Sequence, residues 1–316
     1  MNRKHVRAAA RTAAVGGTLV LGLGSAQAAM AQPTTTVHVA CYAGALASAI
    51  SAATDGETIV LAPGCVYRLD QALPDVGVDL TIVGYDTELL RDYGAPSFSL
   101  LTIDCMDDLT VVNVDFRNGG GPDDDNGGAI YAPGDTDLTV QGGIFTDNYS
   151  EYGGAIESDG ILTVTGADFV GNYAYDEGGA IYTDGDDAYI SGSTFQKNAT
   201  YDGDDDDYGG GGIYTDNDNT QLTGSTFTGN SSYEGGAVYN DDTLAMTRDS
   251  LTGNTAYYGG GIYNDSDLTV YRSLIDFNWA GDDGGGIYND WDITAAGNQI
   301  YGNQPDNCVD VTGCFG

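Results

Sequence analysis

The chain has 316 residues, 47 of them acidic and 10 basic, and its formal net charge is −37. So few cations exclude a nucleic-acid-binding protein, because no basic surface could be assembled from them, and they argue against binding to an anionic membrane. Leu, Ile, Val and Phe make up only about a fifth of the chain. A high net charge with few strong apolar residues is typical of disordered chains, so composition alone leaves folding open.

Residues 1–31 have the pattern of a secretory signal peptide. This stretch contains four basic and no acidic residues, and its apolar run from Thr12 to Gly24 is shorter than the ~20 residues of a membrane span. Small residues allow cleavage after Ala28 or after Ala31, and the pattern does not choose between them. No later segment is apolar enough to cross a membrane. We therefore expect a secreted, extracellular protein without membrane insertion.

Residues 32–57 are predicted to form a cap that precedes the repeats. Apolar side chains recur at the spacing of a short amphipathic helix, namely Leu46, Ala49, Ile50 and Ala53. The open end of a stack of β-strands is a sheet edge that must be covered, and this helix is suited to cover it.

The five cysteines fit an exported chain in which disulfides form. We predict one disulfide between Cys41 and Cys65 and a second between Cys308 and Cys314. Cys105 is then left over, and we expect it to be buried as a small apolar residue.

Residues 58–126 carry short apolar stretches that predict irregular β-coils. These stretches are Thr58–Leu61, Leu80–Val83, Leu100–Ile103 and Leu109–Val112.

Residues 127–303 contain seven repeats, each of which begins with a Gly-Gly-[Ala/Gly]-[Ile/Val] tetrad, and 24 to 32 residues separate successive tetrads. The tetrads start at Gly127, Gly153, Gly178, Gly210, Gly235, Gly259 and Gly284. This period is too short for a propeller blade, and one repeat alone cannot bury an apolar face. The pattern predicts an all-β fold: a single-stranded right-handed parallel β-helix, a solenoid of about ten coils, with a short N-terminal capping helix. Residues 304–316 would cap the other end.

The paired GGA[I/L/V] and FxxN motifs resemble the polymorphic outer membrane protein repeats of bacterial adhesins and autotransporters. Strict Phe-x-x-Asn begins at Phe145, Phe169, Phe195 and Phe227, and Leu or Ile replaces Phe in the last three copies. The segment from Cys41 to Leu61 is similar to the N-terminal cap of such secreted β-helix proteins. The resemblance implies a secreted β-helix protein associated with a surface or matrix.

An asparagine recurs near the end of every repeat. These residues are Asn148, Asn172, Asn198, Asn230, Asn254, Asn278 and Asn303. Stacked asparagines in tight turns can bond their side-chain amides to the coils above and below. We predict a structural asparagine ladder.

A tyrosine follows the tetrad in six of the seven repeats, and Glu157 takes its place in one. The tyrosines are Tyr131, Tyr182, Tyr214, Tyr239, Tyr263 and Tyr288. Strand alternation turns them outward if the preceding Ile points inward. Two interpretations stay open: a binding surface for an extracellular polysaccharide or a surface protein, or tyrosines that stack on one another and stiffen the sheet.

Aspartates occupy the turns after these tyrosines, and the one long insertion holds the densest acidic cluster of the chain. The candidate calcium ligands are Asp184, Asp186, Asp216, Asp218, Asp265 and Asp267 in the turns, and Asp204, Asp205, Asp206 and Asp207 in the one long insertion. Stacked carboxylates repel one another, and oxygen ligands suit Ca²⁺, which is the one cofactor these residues suggest. The alternative is that the aspartates are ordinary turn formers.

Parallel β-helices also host polysaccharide lyases, so an enzyme of the pectate-lyase type is an alternative. Such a lyase needs Ca²⁺-binding carboxylates beside a basic residue. Arg248 and Arg272 share one repeat position and would lie one coil apart. They are the candidate bases, although turn residues held by neighbouring acids are the simpler interpretation.

We therefore expect a secreted, non-enzymatic, monomeric β-helix protein with a surface- or matrix-associated, adhesin-like binding role. A Ca²⁺-dependent glycan-active enzyme is the first alternative. A purely structural acidic exoprotein adapted to high salt is the second.

Overall fold

A computed structural model describes residues 35–121, 126–134, 136–201, 209–312 and 314. Within these ranges the predicted parallel β-helix of about ten turns is confirmed: each strand pairs in parallel with the strand at the same position of the next coil, as Leu138 pairs with Leu162 and Phe145 with Phe169. The predicted signal peptide and the aspartates of the insertion lie outside the described residues.

The largest sheet has 19 strands and carries two short strands from most coils. Numbered along the chain, its strands are β1 (Thr36–His38), β2 (Glu57–Val60), β3 (Val66–Leu69), β4 (Leu80–Arg91), β6 (Leu109–Arg117), β8 (Leu138–Gln141), β9 (Ile144–Thr146), β12 (Leu162–Thr165), β13 (Asp168–Val170), β16 (Asp187–Ser191), β17 (Thr194–Gln196), β20 (Asn219–Thr223), β21 (Thr226–Thr228), β23 (Thr243–Thr247), β24 (Ser250–Thr252), β27 (Asp267–Tyr271), β28 (Leu274–Asp276), β31 (Ile293–Ala296) and β32 (Gln299–Tyr301).

The tetrads lead into a second sheet of nine strands, which we call the tetrad sheet. Its strands are β5 (Leu101–Thr102), β7 (Ile130–Ala132), β11 (Ile156–Ser158), β15 (Ile181–Thr183), β19 (Ile213–Thr215), β22 (Val238–Asn240), β26 (Ile262–Asn264), β30 (Ile287–Asn289) and β33 (Cys308–Val309).

The remaining strands follow the ladder asparagines and form what we call the third face. They are β10 (Tyr149–Tyr152), β14 (Tyr173–Glu177), β18 (Ala199–Thr200), β25 (Thr255–Ala256) and β29 (Trp279–Ala280). Parallel bridges through Ser231 join β18 to β25, so the third face runs on from coil to coil.

The core is a column in which each coil contributes the same inward positions. Phe116, Phe145, Phe169, Phe195 and Phe227 are fully buried, and neighbouring rings stack with centroids 4.6–4.8 Å apart. Burial of one Phe side chain contributes roughly 1.5–3 kcal/mol. Leu251 and Ile275 continue this column on the next coils, so a thin core becomes continuous through stacking.

The predicted capping helix is present as α1, Ala43–Ala52, and it buries Leu46 and Ile50 against the first coils. The predicted disulfide between Cys41 and Cys65 is formed beside it. No helix in the described part of the chain is long and apolar enough to cross a membrane.

The other end of the solenoid carries the second predicted disulfide, between Cys308 and Cys314. Partly buried Val311 lies within that loop and packs against the end of the core, as Ile293 and Ile300 do.

The expectation for Cys105 was wrong, because its side chain is exposed. Cys105 lies in a turn that follows the short strand β5. A backbone hydrogen bond from the Asp107 N–H to the Asp104 carbonyl closes this turn. Neighbouring Met106 has a positive φ of 76°. This turn lies outside the apolar column, so the thiol faces solvent.

Candidate functional site

The seven predicted asparagines form a continuous hydrogen-bonded ladder. In a typical coil, Asn198 Nδ2 donates to Asn230 Oδ1 at 3.1 Å and to the Phe169 carbonyl at 3.0 Å. Asn198 Oδ1 accepts from the backbone N–H and from Nδ2 of Asn172, at 3.0 and 2.9 Å. All four bonds of the amide are therefore made inside the protein, which is what a buried amide requires.

The ladder extends beyond the predicted residues at both ends. Asn148 Oδ1 accepts from the Gly119 N–H, because Asn118 lies one residue too early and bonds the Arg91 carbonyl instead. At the far end, Asn303 Nδ2 donates to Asn307 Oδ1.

A second amide ladder follows the last three tetrad tyrosines, and the sequence analysis missed it. Asn240 Nδ2 donates to Asn264 Oδ1 at 2.7 Å, and Asn264 Nδ2 donates to Asn289 Oδ1 at 2.8 Å. The sequence signal was available, because each of these residues directly follows a tyrosine of the repeat.

A third ladder of small polar side chains runs through the large sheet at the start of strands such as β21 and β24. Ser225 N–H donates to Asp249 Oδ1 at 2.8 Å, and Asp249 N–H donates to Ser273 Oγ at 3.1 Å. Asp249 Oδ2 is buried and has no hydrogen-bond partner among the described residues. Burial raises the pKa of this carboxyl to about 6, although backbone bonds to Ser225 and Thr247 lower it in part.

The tetrad tyrosines do form a column, but it is less exposed than a binding strip should be. We call Tyr182, Tyr214, Tyr239, Tyr263 and Tyr288 the inner tyrosine column; neighbouring rings stack with centroids 4.9–5.3 Å apart and interplanar angles of 10–17°. Each ring face is covered by the next ring. Tyr214 is only 8% exposed.

Tyr131 is separated from this column because Glu157 occupies the coil between them, where Glu157 Oε2 accepts the Gly127 N–H at 2.9 Å. Burial raises the pKa of Tyr131 to about 12, and the charges of Glu157 and Asp159 add to the shift.

Two members of the inner tyrosine column donate hydrogen bonds to aspartates of the following turns. Tyr214 Oη donates to Asp241 Oδ2 at 2.7 Å, and Tyr263 Oη donates to Asp290 Oδ2 at 2.9 Å. Burial raises the pKa of the Tyr214 hydroxyl well above its usual value, and the negative charges of Glu177 and Asp241 act in the same direction. The tyrosines thus stay neutral donors that stabilise a neighbouring carboxylate.

The candidate calcium ligands of the described turns stack as the repeat predicts. Backbone hydrogen bonds join these turns to the neighbouring coils: the Asp216 N–H donates to the Thr183 carbonyl, and the Asp265 N–H donates to the Asn240 carbonyl. Burial raises the pKa of Asp265, and repulsion by Asp241 and Asp290 adds to the rise.

These aspartates do not converge on one point. Asp184 and Asp216 are half-buried, whereas Asp186, Asp218 and Asp267 are exposed at the next outward position of each turn. Among the described residues no three His, Cys, Asp or Glu side chains come close enough together to hold a metal ion.

The two candidate lyase bases, Arg248 and Arg272, lie one coil apart in a turn as predicted. Both have positive φ angles, 62° and 55°, at the position where other coils have glycine. The expectation that neighbouring acids hold them was wrong: neither forms a salt bridge with a described residue, and the Arg272 guanidinium lies 4.6 Å from the Tyr271 ring centroid.

A row of largely exposed aromatic side chains lies on the third face, and it was not among the expectations from the sequence. We call Tyr175, Tyr201, Tyr233 and Tyr257 the outer tyrosine column; each lies three residues after a ladder asparagine. Tyr175 stacks on Tyr201 at 5.0 Å and Tyr233 on Tyr257 at 5.2 Å. Trp279, on the next coil, is 49% exposed.

A comparison with characterised proteins found a similar segment in the probable autotransporter YfaL of Escherichia coli (strain K12). The identity is 44% over 85 residues, which cover 24% of this chain and 7% of the autotransporter. The chain therefore spans only a small part of the length of that relative. No solved structure was found to match the chain.

A scan against protein families gave a match that covers the regular coils. The matching family is described as the right-handed β-helix region, and the match runs over residues 100–275, which is more than half of the chain. It includes the stacked core phenylalanines, most of the amide ladders and most of both tyrosine columns. The chain therefore belongs to the right-handed β-helix family.

Proposed function

We propose that this is an exported, non-enzymatic β-helix protein that attaches to a polysaccharide or protein at a cell surface or in an extracellular matrix, as an adhesin does. One observation carries the proposal: aromatic side chains face outward on the third face of successive coils, with Tyr175, Tyr201, Tyr257 and Trp279 each 42–49% exposed. Exposed aromatic residues in a row mark interaction surfaces more often than single exposed apolar residues do.

Three further features support this proposal. The two disulfides fit an oxidising compartment, and residues 1–31 have a signal-peptide pattern. A segment of the chain is similar to part of a probable autotransporter.

The test is retention of the exported chain on a panel of insoluble polysaccharides and protein-coated surfaces at low and moderate salt. We expect retention on at least one surface. Replacement of Tyr175, Tyr201 and Tyr257 by serine should reduce that retention at least tenfold, whereas the same change at exposed Tyr85, on the irregular coils, should not. Absence of retention on every surface, or release of unsaturated products from a polyuronate, would contradict the proposal.

We further propose that the acidic turns need cations to remain stacked. Burial is the main cause of the raised pKa of Asp265, and the further contribution of the Asp241 and Asp290 charges supports mutual repulsion along the column. Screening by salt and weak binding of Ca²⁺ would both relieve that repulsion.

Thermal melts in NaCl and in CaCl₂ at equal ionic strength separate these two effects. Equal rises in Tm indicate screening and favour a protein adapted to high salt. A larger rise in CaCl₂ that chelator reverses, and that Asp216→Asn with Asp241→Asn diminishes, indicates Ca²⁺ in the turns. A Tm that neither salt raises would overturn the proposed need for cations.

A further inference from the structure

The third face presents two outward positions on each coil. Residues one and three places after the ladder asparagine point outward, whereas the residue between them points inward, as buried Ser150 and Ala174 show. The outer tyrosine column occupies the second of these positions. The first is occupied by Tyr149 and Tyr173 in the first two coils, by the small side chains Ala199, Ser231 and Thr255 in the middle coils, and then by Trp279 and Gln304. A strip of small residues therefore runs beside the tyrosines and ends at an indole ring.

The end of this strip offers an aromatic ring that no other ring covers. At the position of a fifth tyrosine the chain has Gly281, and a Cβ there would lie 3.0 Å from Tyr257 Cδ2 and 3.6 Å from Trp279 Cη2. The glycine leaves room for the indole to approach Tyr257. Trp279 nevertheless stacks on no ring among the described aromatic residues, so both its exposure and its orientation leave it available.

Tyr258 completes a corner at this end of the strip. Its ring is perpendicular to that of Tyr257, at 89°, with centroids 4.7 Å apart. Its hydroxyl is hydrogen-bonded to Asp282. Burial raises the pKa of Tyr258, and the hydrogen bond to Asp282 and the charge of that carboxylate add to the rise. An exposed indole, a perpendicular phenol and a carboxylate thus lie together.

The spacing of the column distinguishes between possible polymeric partners. The ring centroids lie 5.0 Å apart in the pair of Tyr175 and Tyr201 and 5.2 Å apart in the pair of Tyr233 and Tyr257. An extended peptide places side chains on one face about 6.6–6.8 Å apart, so it would lose register with the coils within a few residues. One sugar of an extended pyranose chain advances by about the length of one coil, so such a chain would keep its register with the coils.

The charge around the strip distinguishes between sugars. Acidic residues directly follow the outer positions on most coils, at Asp176, Glu177, Glu234, Asp282 and Asp283. A polyuronate would be repelled here, whereas ammonium groups would be attracted both by the carboxylates and by aromatic faces. Lys197, in the turn before the strip, is the nearest basic residue in sequence.

We infer that the outer tyrosine column, together with Trp279, binds an extended polysaccharide that carries amino groups, laid parallel to the solenoid axis with about one sugar per coil. This inference rests on the proposed function and specifies its ligand class. Stacked tyrosines offer ring edges and hydroxyl groups to the sugars, and Trp279 offers the aromatic face on which a terminal sugar ring rests.

The test uses the exported chain, a β-linked glucosamine hexamer and, as a neutral analogue, its N-acetylated counterpart, with tryptophan fluorescence and calorimetry as readouts. We expect the glucosamine hexamer to bind at least tenfold more tightly than the N-acetylated one, and added NaCl to weaken it. Trp279→Ala should reduce affinity at least tenfold. The matched control is Trp291→Ala, because Trp291 is also exposed, at 65%, but follows the tetrad sheet.

Three outcomes would overturn this inference. Equal binding by Trp279→Ala and Trp291→Ala would show that glucosamine binds elsewhere, while leaving a binding role intact. Binding of poly-lysine in preference to the hexamer would indicate a basic polypeptide partner. Failure of every amino-sugar oligomer to bind would exclude this ligand class, and the wider surface panel would then decide the proposed function by itself.

Discussion

The irregular coils, which begin at residue 58, and the regular coils, which begin at residue 127, share one core but differ in how their acidic side chains are paired. In the irregular coils, acidic side chains pair with arginines: Arg68 lies 3.0 Å from Asp92, and Arg117 lies 2.8 Å from Glu88. In the regular coils neutral tyrosine hydroxyls donate to the carboxylates, as Tyr214 does to Asp241. The chain thus has two ways to stack acidic coils, one that pairs carboxylates with cationic side chains and one that pairs them with neutral donors.

The same contrast appears in how the coils are joined. The irregular coils use the long strands β4 and β6, which have a register shift between Val83 and Thr87. The regular coils have shorter strands, and the side-chain amides of their ladder asparagines form all of their hydrogen bonds inside the protein. The regular coils are therefore stabilised by buried hydrogen bonds, whereas the irregular coils use surface ion pairs. Loss of a buried hydrogen bond leaves unsatisfied polar groups in the core.

The two regions should differ most in how much the free energy of unfolding falls when one polar side chain is removed from each. Asn198→Ala removes four buried bonds and orphans the Asn172 N–H and the Phe169 carbonyl. We expect the free energy of unfolding to fall by about 3–5 kcal/mol. Arg117→Met, which breaks a partly exposed ion pair, should lower it by at most about 1 kcal/mol. Urea unfolding of both variants measures the difference, and similar losses would refute the contrast.

The buried carboxyl of Asp249 should make one regular coil sensitive to pH. Its pKa of about 6 in the folded protein exceeds the usual 3.8, so its contribution to stability is greatest below pH 4 and is lost as pH rises through 6. Asp249→Asn should raise the free energy of unfolding by about 2–3 kcal/mol at pH 7 and by little at pH 4.

Asn298 shows that an asparagine fits this ladder, because it occupies the same position two coils on and donates Nδ2 to the Val270 carbonyl. Denaturant unfolding at both pH values, with Asp242→Asn as the surface control, measures the effect. A gain that is the same at pH 4 and pH 7 would show that Asp249 does not titrate as described.

The tyrosine–aspartate hydrogen bonds should contribute less to the free energy of unfolding. Tyr214→Phe keeps the stacked ring but removes the donor to Asp241, so we expect a loss of about 1.5–3 kcal/mol, the value of a hydrogen bond to a charged group. Tyr239→Phe is the matched control, because Tyr239 stacks equally in the inner tyrosine column. Thermal melts at low salt should show the larger loss for Tyr214→Phe; equal losses would assign the effect to the ring.

The smallest effect should come from the turn arginines. Arg248 has a φ of 62° at a position where most other coils have glycine. Arg248→Gly should therefore stabilise the protein by about 1 kcal/mol, because the left-handed conformation costs a residue with a Cβ about that much. A reduced Tm for this variant would show that the arginine side chain makes a stabilising contact.

Periodic features of this fold could be predicted from the sequence, and features that depend on one coil could not. The core phenylalanines and the ladder from Asn148 to Asn303 were predictable because each recurs at one position of the repeat. The exposure of Cys105 was not, because it lies in an irregular turn without a periodic counterpart.

The outer tyrosine column was hidden for a different reason. It has the phase of the ladder asparagines, but Glu151 and Gly281 replace tyrosine at its two ends. The inner tyrosine column, beside the conspicuous glycine tetrads, attracted the binding interpretation instead. Which column is exposed depends on ring stacking and strand direction, which the spacing of residues alone does not specify.

The asparagine ladder also gives the solenoid a direction and a unit of length. Every side chain in it donates toward the C-terminal neighbour, so Asn198 meets Asn230 as Asn230 meets Asn254, which lies 24 residues further along. Excision of residues 231–254 would place the same amide in the same surroundings and yield a shorter rod with intact ends. The number of coils can therefore vary in this architecture, and the length of the rod can change without any change to the remaining coils.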